Sequence, residues 1–413
     1  MPGAPPVGPG FFPLDEELGL LPGALTPTLQ AHLSRLGSRL SFAEAARELE
    51  QLKGVRVSAA TARRRTEADG AIYAALQDSE ARRVLATAPP ARQGPARQQV
   101  SVDGAMVPLV DGSWREVRTL AIGTLVPGRQ PGTVRCADLS YFSRLADAAT
   151  FTPVAAGEVH RRGVETAERV VGVVDGAEWC QRFLDAHRIG AVRILDFPHA
   201  AQRLSDVADA VWGARETGRV WAAEQRAELR DGTAERVLEA IRALPVDAAP
   251  DPATAERVQG EVLGYLEPRR EQMRYAAFRG QGWPIASGAV ESANKLVVAA
   301  RLKGAGRRWA EAQVTPMVAL RGALCSHRWD EAWTAIAGAR QGPTRRAQPA
   351  GGASAAIPGA SAASVAAPVC QVRLPPSPAL PHLGPKTIIN GRPTARHPWK
   401  RFPAVPPPPL AKL

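Results

Sequence analysis

Cysteine is scarce in this chain: Cys136, Cys180, Cys325 and Cys370 are the four among 413 residues. They are scattered without metal-ligand spacing, so they read as small core or surface thiols of a reducing cytoplasm and not as a disulfide frame. Long apolar runs are missing as well. No stretch reaches the ~20 residues needed to span a bilayer, and no membrane partner is expected. The N-terminal text MPGAPPVGPGFFPL lacks the charged-then-apolar order of a secretory signal, so a soluble, intracellular protein is expected. Acidic residues are outnumbered: 40 Asp+Glu against 52 Lys+Arg give a net charge of +12. That balance favours a polyanionic partner, nucleic acid before membrane. An Arg- and Ala-rich composition also arises in a GC-rich genome, so charge alone does not decide the matter.

What is present falls into segments. Residues 1–12 are Pro/Gly-rich and expected to be unstructured, and 13–87 read as helical. SFAEAARELEQL opens on a capping box, Ser41 with Glu44, and SAATARRRTEADG opens on a second N-cap, Ser58. Two short helices joined by a tight turn, the second carrying Arg63, Arg64 and Arg65, suggest a helix-turn-helix, with an ordinary solvated helical hairpin as the alternative. A linker at 88–98 precedes strand-like text: QVSVDGAMVPL, an Asp-Gly turn, REVRTLAIGTLV, then TVRCADLSYFSRL. RVVGVVDG and AVRILDF read as buried strands, with helices after each. A hairpin followed by alternating strand and helix implies a mixed α/β sheet, split between 99–204 and 281–338. The charged stretch 205–280 reads as a helical insertion. The Ala/Pro/Ser-rich segment 339–413 reads as a disordered tail with a basic end.

The chemistry lies in a repeated phrase. Val-Asp-Gly-Ala occurs at 102–105 and again at 174–177, each time closing an apolar run. A lone Asp-Gly there is usually a turn. Two such aspartates on one sheet rim would repel unless a cation sat between them, and a hard divalent ion such as Mg²⁺ suits those oxygens. Gly and Ala after each Asp are expected to keep the rim uncrowded for a phosphate. Glu291 in SGAVESANKLV offers a third carboxylate on a helix that Ser287 can cap. Asn294 and Lys295 follow one turn later, where they could meet substrate or bound water. Arg301, Lys303, Arg307 and Arg308 next to it suit a phosphodiester backbone. In DFPHA, Asp196 and His199 are either accessory site residues or an N-cap with a packed histidine. No Tyr or Ser sits in a comparable setting, so no covalent protein–DNA intermediate is expected.

Taken in order, SVDGAMVPL, REVRTLAIG, LSYFSRLADAATF, VVDGAEW, RILDFPHA, YLEPRREQMRYAAF, PIASGAVESANKLVV, ARLKGAGRRW and ALRGALCSHRWDEAW resemble the ISKra4 family of insertion-sequence transposases, over roughly residues 11–340. The resemblance implies a DNA transposase with a ribonuclease-H-like catalytic core interrupted by a helical insertion. Its acidic triad would fall on Asp103, Asp175 and Glu291, holding two Mg²⁺ (or Mn²⁺) ions. Asp196 and His199 are similar to the Asp-x-x-His element of Mutator-like transposases, which makes His199 a candidate catalytic group. The implied partners are the ends of the protein's own element, target DNA and further copies of the chain, in a bacterial cytoplasm and associated with the nucleoid. In that family a Cys-rich, zinc-ribbon-like element often precedes the FFPLDEELGL text, whereas MPGAPPVGPG stands there in this sequence. A transposase derivative acting only as a DNA-binding protein, and a plain nuclease on the same fold, are the alternatives.

Overall fold

A computed structural model describes residues 25–341, apart from 131, 132, 188, 190, 191 and 214, together with 388–389 and 392–393. The chain divides into two units, Met1–Ala347 and Gln348–Leu413. In the second unit, strands Ile388–Ile389 and Arg392–Pro393 pair antiparallel. The expectation of disorder at 1–12 and over most of 339–413 falls outside the described residues.

The first unit is built on a mixed sheet of five strands: β1 (Arg97–Pro108), β2 (Trp114–Pro127), β3 (Val134–Leu145), β4 (Arg169–Val174) and β5 (Val192–Leu195). Their order is β3-β2-β1-β4-β5. β2 runs antiparallel to β1 and β3, and β4 runs parallel to β1 and β5. The hairpin forms where Asp111 accepts from the backbone N–H and hydroxyl of Ser113, at 2.9 and 2.7 Å, which closes the turn at Gly112.

Side-chain alternation sorts the core into layers. Val100, Val102, Leu120, Ile122 and Phe142 point to one face, against Phe151 and Phe183. Ala105, Val107, Val117 and Ala121 point to the other, under Val290, Val297 and Met317. Val171, Val173 and Ile194 continue that second face against helices from the expected insertion. Burying each of these large side chains contributes about 1.5–3 kcal/mol before entropy is counted.

Helices α1 (Pro27–Arg39), α2 (Phe42–Lys53) and α3 (Ala59–Thr87) precede the sheet. Both expected caps form: the Ser41–Glu44 capping box, and Ser58 accepting from the Thr61 N–H at 3.0 Å. The second helix of the expected short pair is not short. It passes Gly70 without a break and runs for 29 residues. Gly70 is there for contact: a Cβ would collide with the Pro316 carbonyl, so glycine lets two backbones touch. Arg144 of β3, almost fully buried, donates to Asp78, Gln77 and the Ala74 carbonyl of α3. Buried Asp69 accepts from Gln30, Ser34 and Arg340. Helix α3 is thus pinned along its length to the sheet unit.

After β3 come α4 (Ala148–Val154) and α5 (Ala156–Arg161). Helix α6 (Glu178–Ala186) follows β4, and α7 (Phe197–Trp212) follows β5. The charged stretch supplies α8 (Glu216–Asp231), α9 (Ala234–Arg242), α10 (Pro252–Leu266) and α11 (Tyr275–Gly280). It carries no core of its own. Leu229, Val237, Ile241, Val262 and Leu266 pack with β4 and β5 residues, because one amphipathic face of each helix needs the sheet to cover it. The chain then returns through α12 (Gly288–Ala293), a π turn (Asn294–Ala299), α13 (Glu311–Cys325) and α14 (Trp329–Gln341). Among the described residues, no helix is long and apolar enough to cross a membrane.

Candidate functional site

The two aspartates meet because of strand register. β1 and β4 pair in parallel from Arg97 with Arg169 to Val100 with Gly172. Three further residues along each strand lead to Asp103 and Asp175 together. Asp103 was expected at a strand end but lies inside β1, which runs on to Pro108 paired with β2 alone. The end that matters is that of β4 at Val174, which leaves β1 unpaired on that side and opens the rim.

Asp103 is half-buried. One carboxylate oxygen accepts from the Gly104 N–H at 2.7 Å and the other from Asn294 Nδ2 at 2.8 Å. Burial pushes its carboxyl up, and the charge of Asp175 adds to this; the Gly104 N–H, His199 and the Asn294 amide oppose it. Asp175 Oδ1 accepts from the Ala177 N–H at 2.9 Å and lies 3.3 Å from the Cys180 thiol. Cys180 is buried, and its thiol is pushed far up by that burial and by Asp175, which makes it an inert packing group.

His199 completes the cluster. Its Nδ1 lies 2.5 Å from Asp196 Oδ2. That bond raises the imidazole above its ordinary value, burial works against it, and the charges of Asp196, Asp175 and Asp103 add to the rise. Three carboxylates therefore favour the imidazolium at this rim. Asp196 is fully buried and committed on both oxygens: Oδ2 caps α7 through the His199 N–H at 3.2 Å, and Oδ1 accepts from the Ser287 N–H at 2.5 Å. It is both the N-cap and the partner of His199. Ser287 does not cap α12 with its side chain as expected; it gives its backbone N–H to Asp196 instead.

Among the described residues, Glu291 makes no hydrogen bond or ion pair with this group. It lies on α12 one turn before Asn294, and its ion-pair partner is the exposed Lys295 at 3.9 Å. Among the described residues, no three His, Cys, Asp or Glu side chains are grouped closely enough to hold a metal ion. It is Asn294, at the start of the π turn, that reaches Asp103. The turn displaces carbonyls from the helical ladder, a feature common at functional sites. Arg321 of α13 takes up those of Leu296 and Val297. The amide oxygen of Asn294 is buried without a hydrogen-bond partner.

The rim is more crowded than the small residues suggested. The space beside Gly104 is filled by Glu116. Gly176 has φ +77°, and a Cβ there would approach Leu195 to 2.7 Å and the Tyr265 hydroxyl to 2.9 Å. Glycine is needed for the left-handed backbone and for packing, not for substrate space. Tyr265 itself was missed. Its hydroxyl donates to the Asp175 carbonyl at 2.6 Å, and burial beside Asp175 pushes it up to about 12. A tyrosine does sit at the rim, then, but its proton is firmly held and it is a poor nucleophile. No spacing in the text links Tyr265, Cys180 or Arg321 to the aspartates; only the helix start after Asp175 hinted at Cys180.

The expected basic residues separate. Arg63, Arg64, Lys303 and Arg308 are exposed, and Arg65 and Arg307 are partly so. Arg301 is buried, donating to the Gly37 carbonyl at 3.1 Å between the rings of Phe42 and Trp309. It ties α1 and α2 to the core and does not lie on the surface. No family model matches the chain, and no curated protein matches it.

Proposed function

We propose that this chain is a metal-dependent DNA transposase of the Asp-Asp-Glu class, of the ISKra4 kind, cleaving and joining strands at the ends of its own element. One observation carries the reading: the parallel pairing of β1 with β4 brings Asp103, inside β1, and Asp175, the residue after β4, together near the centre of the sheet. The order β3-β2-β1-β4-β5 with β2 alone reversed is the one expected if the core is ribonuclease-H-like, and it supports the reading.

Asp103 and Asp175 would hold Mg²⁺ or Mn²⁺. The donors fit, since both are hard carboxylate oxygens and the charge of Asp175 raises Asp103, and the unpartnered oxygen of Asn294 belongs to the amide that holds Asp103. A divalent ion bound there supplies charge neutralisation and activation of an attacking oxygen. Asn294 and the Gly104 N–H orient Asp103. Asp196 fixes the ring of His199, whose Nε2 is left to donate a proton to a phosphate or leaving oxygen. Glu291 is assigned the third carboxylate role, and the exposed Lys303, Arg307 and Arg308 hold backbone, with Arg63 to Arg65 contributing from α3. Copies of the chain would pair the two element ends.

Asp175→Asn is expected to abolish Mg²⁺-dependent cleavage of an element-end duplex while a gel shift with the same duplex persists. Cleavage surviving that change would sink the assignment. The pairing of Glu291 with Lys295 favours a second reading, a DNA-binding derivative without catalysis. Binding without cutting under Mg²⁺ and Mn²⁺ alike would select it, and cutting without strand joining would select a plain nuclease.

A further inference from the structure

We propose that the cavity between α2, α3 and the 301–310 loop is a phosphate site that takes one backbone phosphate of a DNA strand, remote from the aspartate pair. The cavity measures about 530 Å³, and its wall includes Arg63, Glu67, Arg301, Arg307 and Arg308. Four guanidinium groups thus face one carboxylate. The two arginine groups that read as separate in the sequence converge here, because α3 packs across the returning chain.

Arg301 is the centre of the argument. It is 2% exposed, locked by the Gly37 carbonyl through Nε and by two aromatic rings at 4.6 and 4.8 Å. Its Nη2 has no hydrogen-bond partner among the described residues. A buried donor without an acceptor is costly. Burial and the neighbouring charges of Arg307 and Arg321 push this guanidinium down to about 10, with the charges of Glu44 and Glu67 opposing them. Neither Glu44 nor Glu67, the latter itself raised by burial, accepts from Nη2. A phosphate oxygen would accept from Nη2 and balance the charge, and the fork of Arg suits it better than a point cation would.

Placement favours DNA over a free anion. β1 runs extended from Asp103 toward Val110, which lines the cavity. Seven residues at strand rise span about 23 Å, the length of about seven nucleotide steps in one strand. A strand cut at the rim would reach the cavity with a phosphate at that remove. The choice of DNA rests on the proposed function; the phosphate chemistry does not.

The test uses the full chain and the double variant Arg63→Ala/Arg308→Ala, whose positions are exposed, without divalent ions. Fluorescence anisotropy with a labelled mixed-sequence duplex should show at least tenfold weaker binding for the variant, with a salt slope reduced by about one. Inorganic pyrophosphate should raise the melting midpoint of the wild type and not that of the variant. Unchanged DNA affinity and slope, together with no pyrophosphate shift in the wild type, overturn the site. A pyrophosphate shift with unchanged DNA binding overturns the DNA assignment in favour of a free phosphate ligand. A wild-type chain that binds through this cavity and never cuts refutes the catalytic reading alone.

Discussion

Asp196 joins fold to chemistry, and two substitutions separate its duties. Its carboxylate accepts from His199 Nδ1, from the His199 N–H and from the buried Ser287 N–H. Asp196→Ala strands the Ser287 donor, which costs about 1–3 kcal/mol, and removes the α7 cap, about 1 kcal/mol more. A total of about 2–4 kcal/mol follows if the two add, as groups on one side chain do only roughly. Asp196→Asn keeps one acceptor, so it should lose about half as much, but it removes the charge that holds up the imidazole. Urea unfolding reads the first effect, and NMR titration of the His199 ring reads the second. In both variants the His199 titration should fall back toward its ordinary value.

The sign of the pH dependence is fixed by the same pair. A histidine raised in the fold is stabilising where it is protonated in both states, below its ordinary value of 6.5. That contribution fades as pH climbs through the raised folded value. The stability gap between wild type and variants should therefore narrow from pH 6 toward alkaline pH, leaving only the backbone part. His199 is nearly half exposed, at 46% of its side chain, so solvent screens this component and it is read as a trend. An alanine variant within about 0.5 kcal/mol of wild type, with an unmoved His199 titration, would refute the reasoning.

Two other substitutions test the packing and the rim. Gly70→Ala would stabilise an exposed helix by roughly 1 kcal/mol, but here the added methyl meets the Pro316 carbonyl. The expected outcome is a loss of about 1–3 kcal/mol by urea unfolding, and a gain would show that α3 and α13 do not touch. Asn294→Ala removes a donor that lowers Asp103. Asp103 should rise further, and the acid limb of the pH–cleavage profile should move to higher pH; an unmoved limb would count against Asn294 as the residue that orients it.

Much of the architecture was legible because periodicity and caps are local. The Asp-Gly hairpin, the valine-rich β4, and the Ser41 and Ser58 caps all stand where the text placed them. What failed was long-range. Gly70 reads as a helix end until Pro316, far along the chain, explains it. Arg301 reads as a surface cation until Gly37, Phe42 and Trp309 enclose it. Asn294 reads as a neighbour of Glu291 one turn on until the fold brings its amide to Asp103, far back in the chain.

The repeated Val-Asp-Gly-Ala shows how one string arises from unlike causes. The aspartates match for one shared reason: parallel strands in fixed register bring both to the same rim, on the same face. The valines match because both point into the layer around Phe183. The glycines do not share a cause. Gly104 is extended backbone beside Glu116, whereas Gly176 turns through a positive φ beneath Tyr265. A sequence comparison would score the four letters equally, yet only the first two report on the sheet. The second glycine should therefore tolerate change far less than the first, since Gly176→Ala meets backbone strain as well as Leu195, while Gly104→Ala requires that the flexible Glu116 side chain swing away and re-form its ion pair with Arg118.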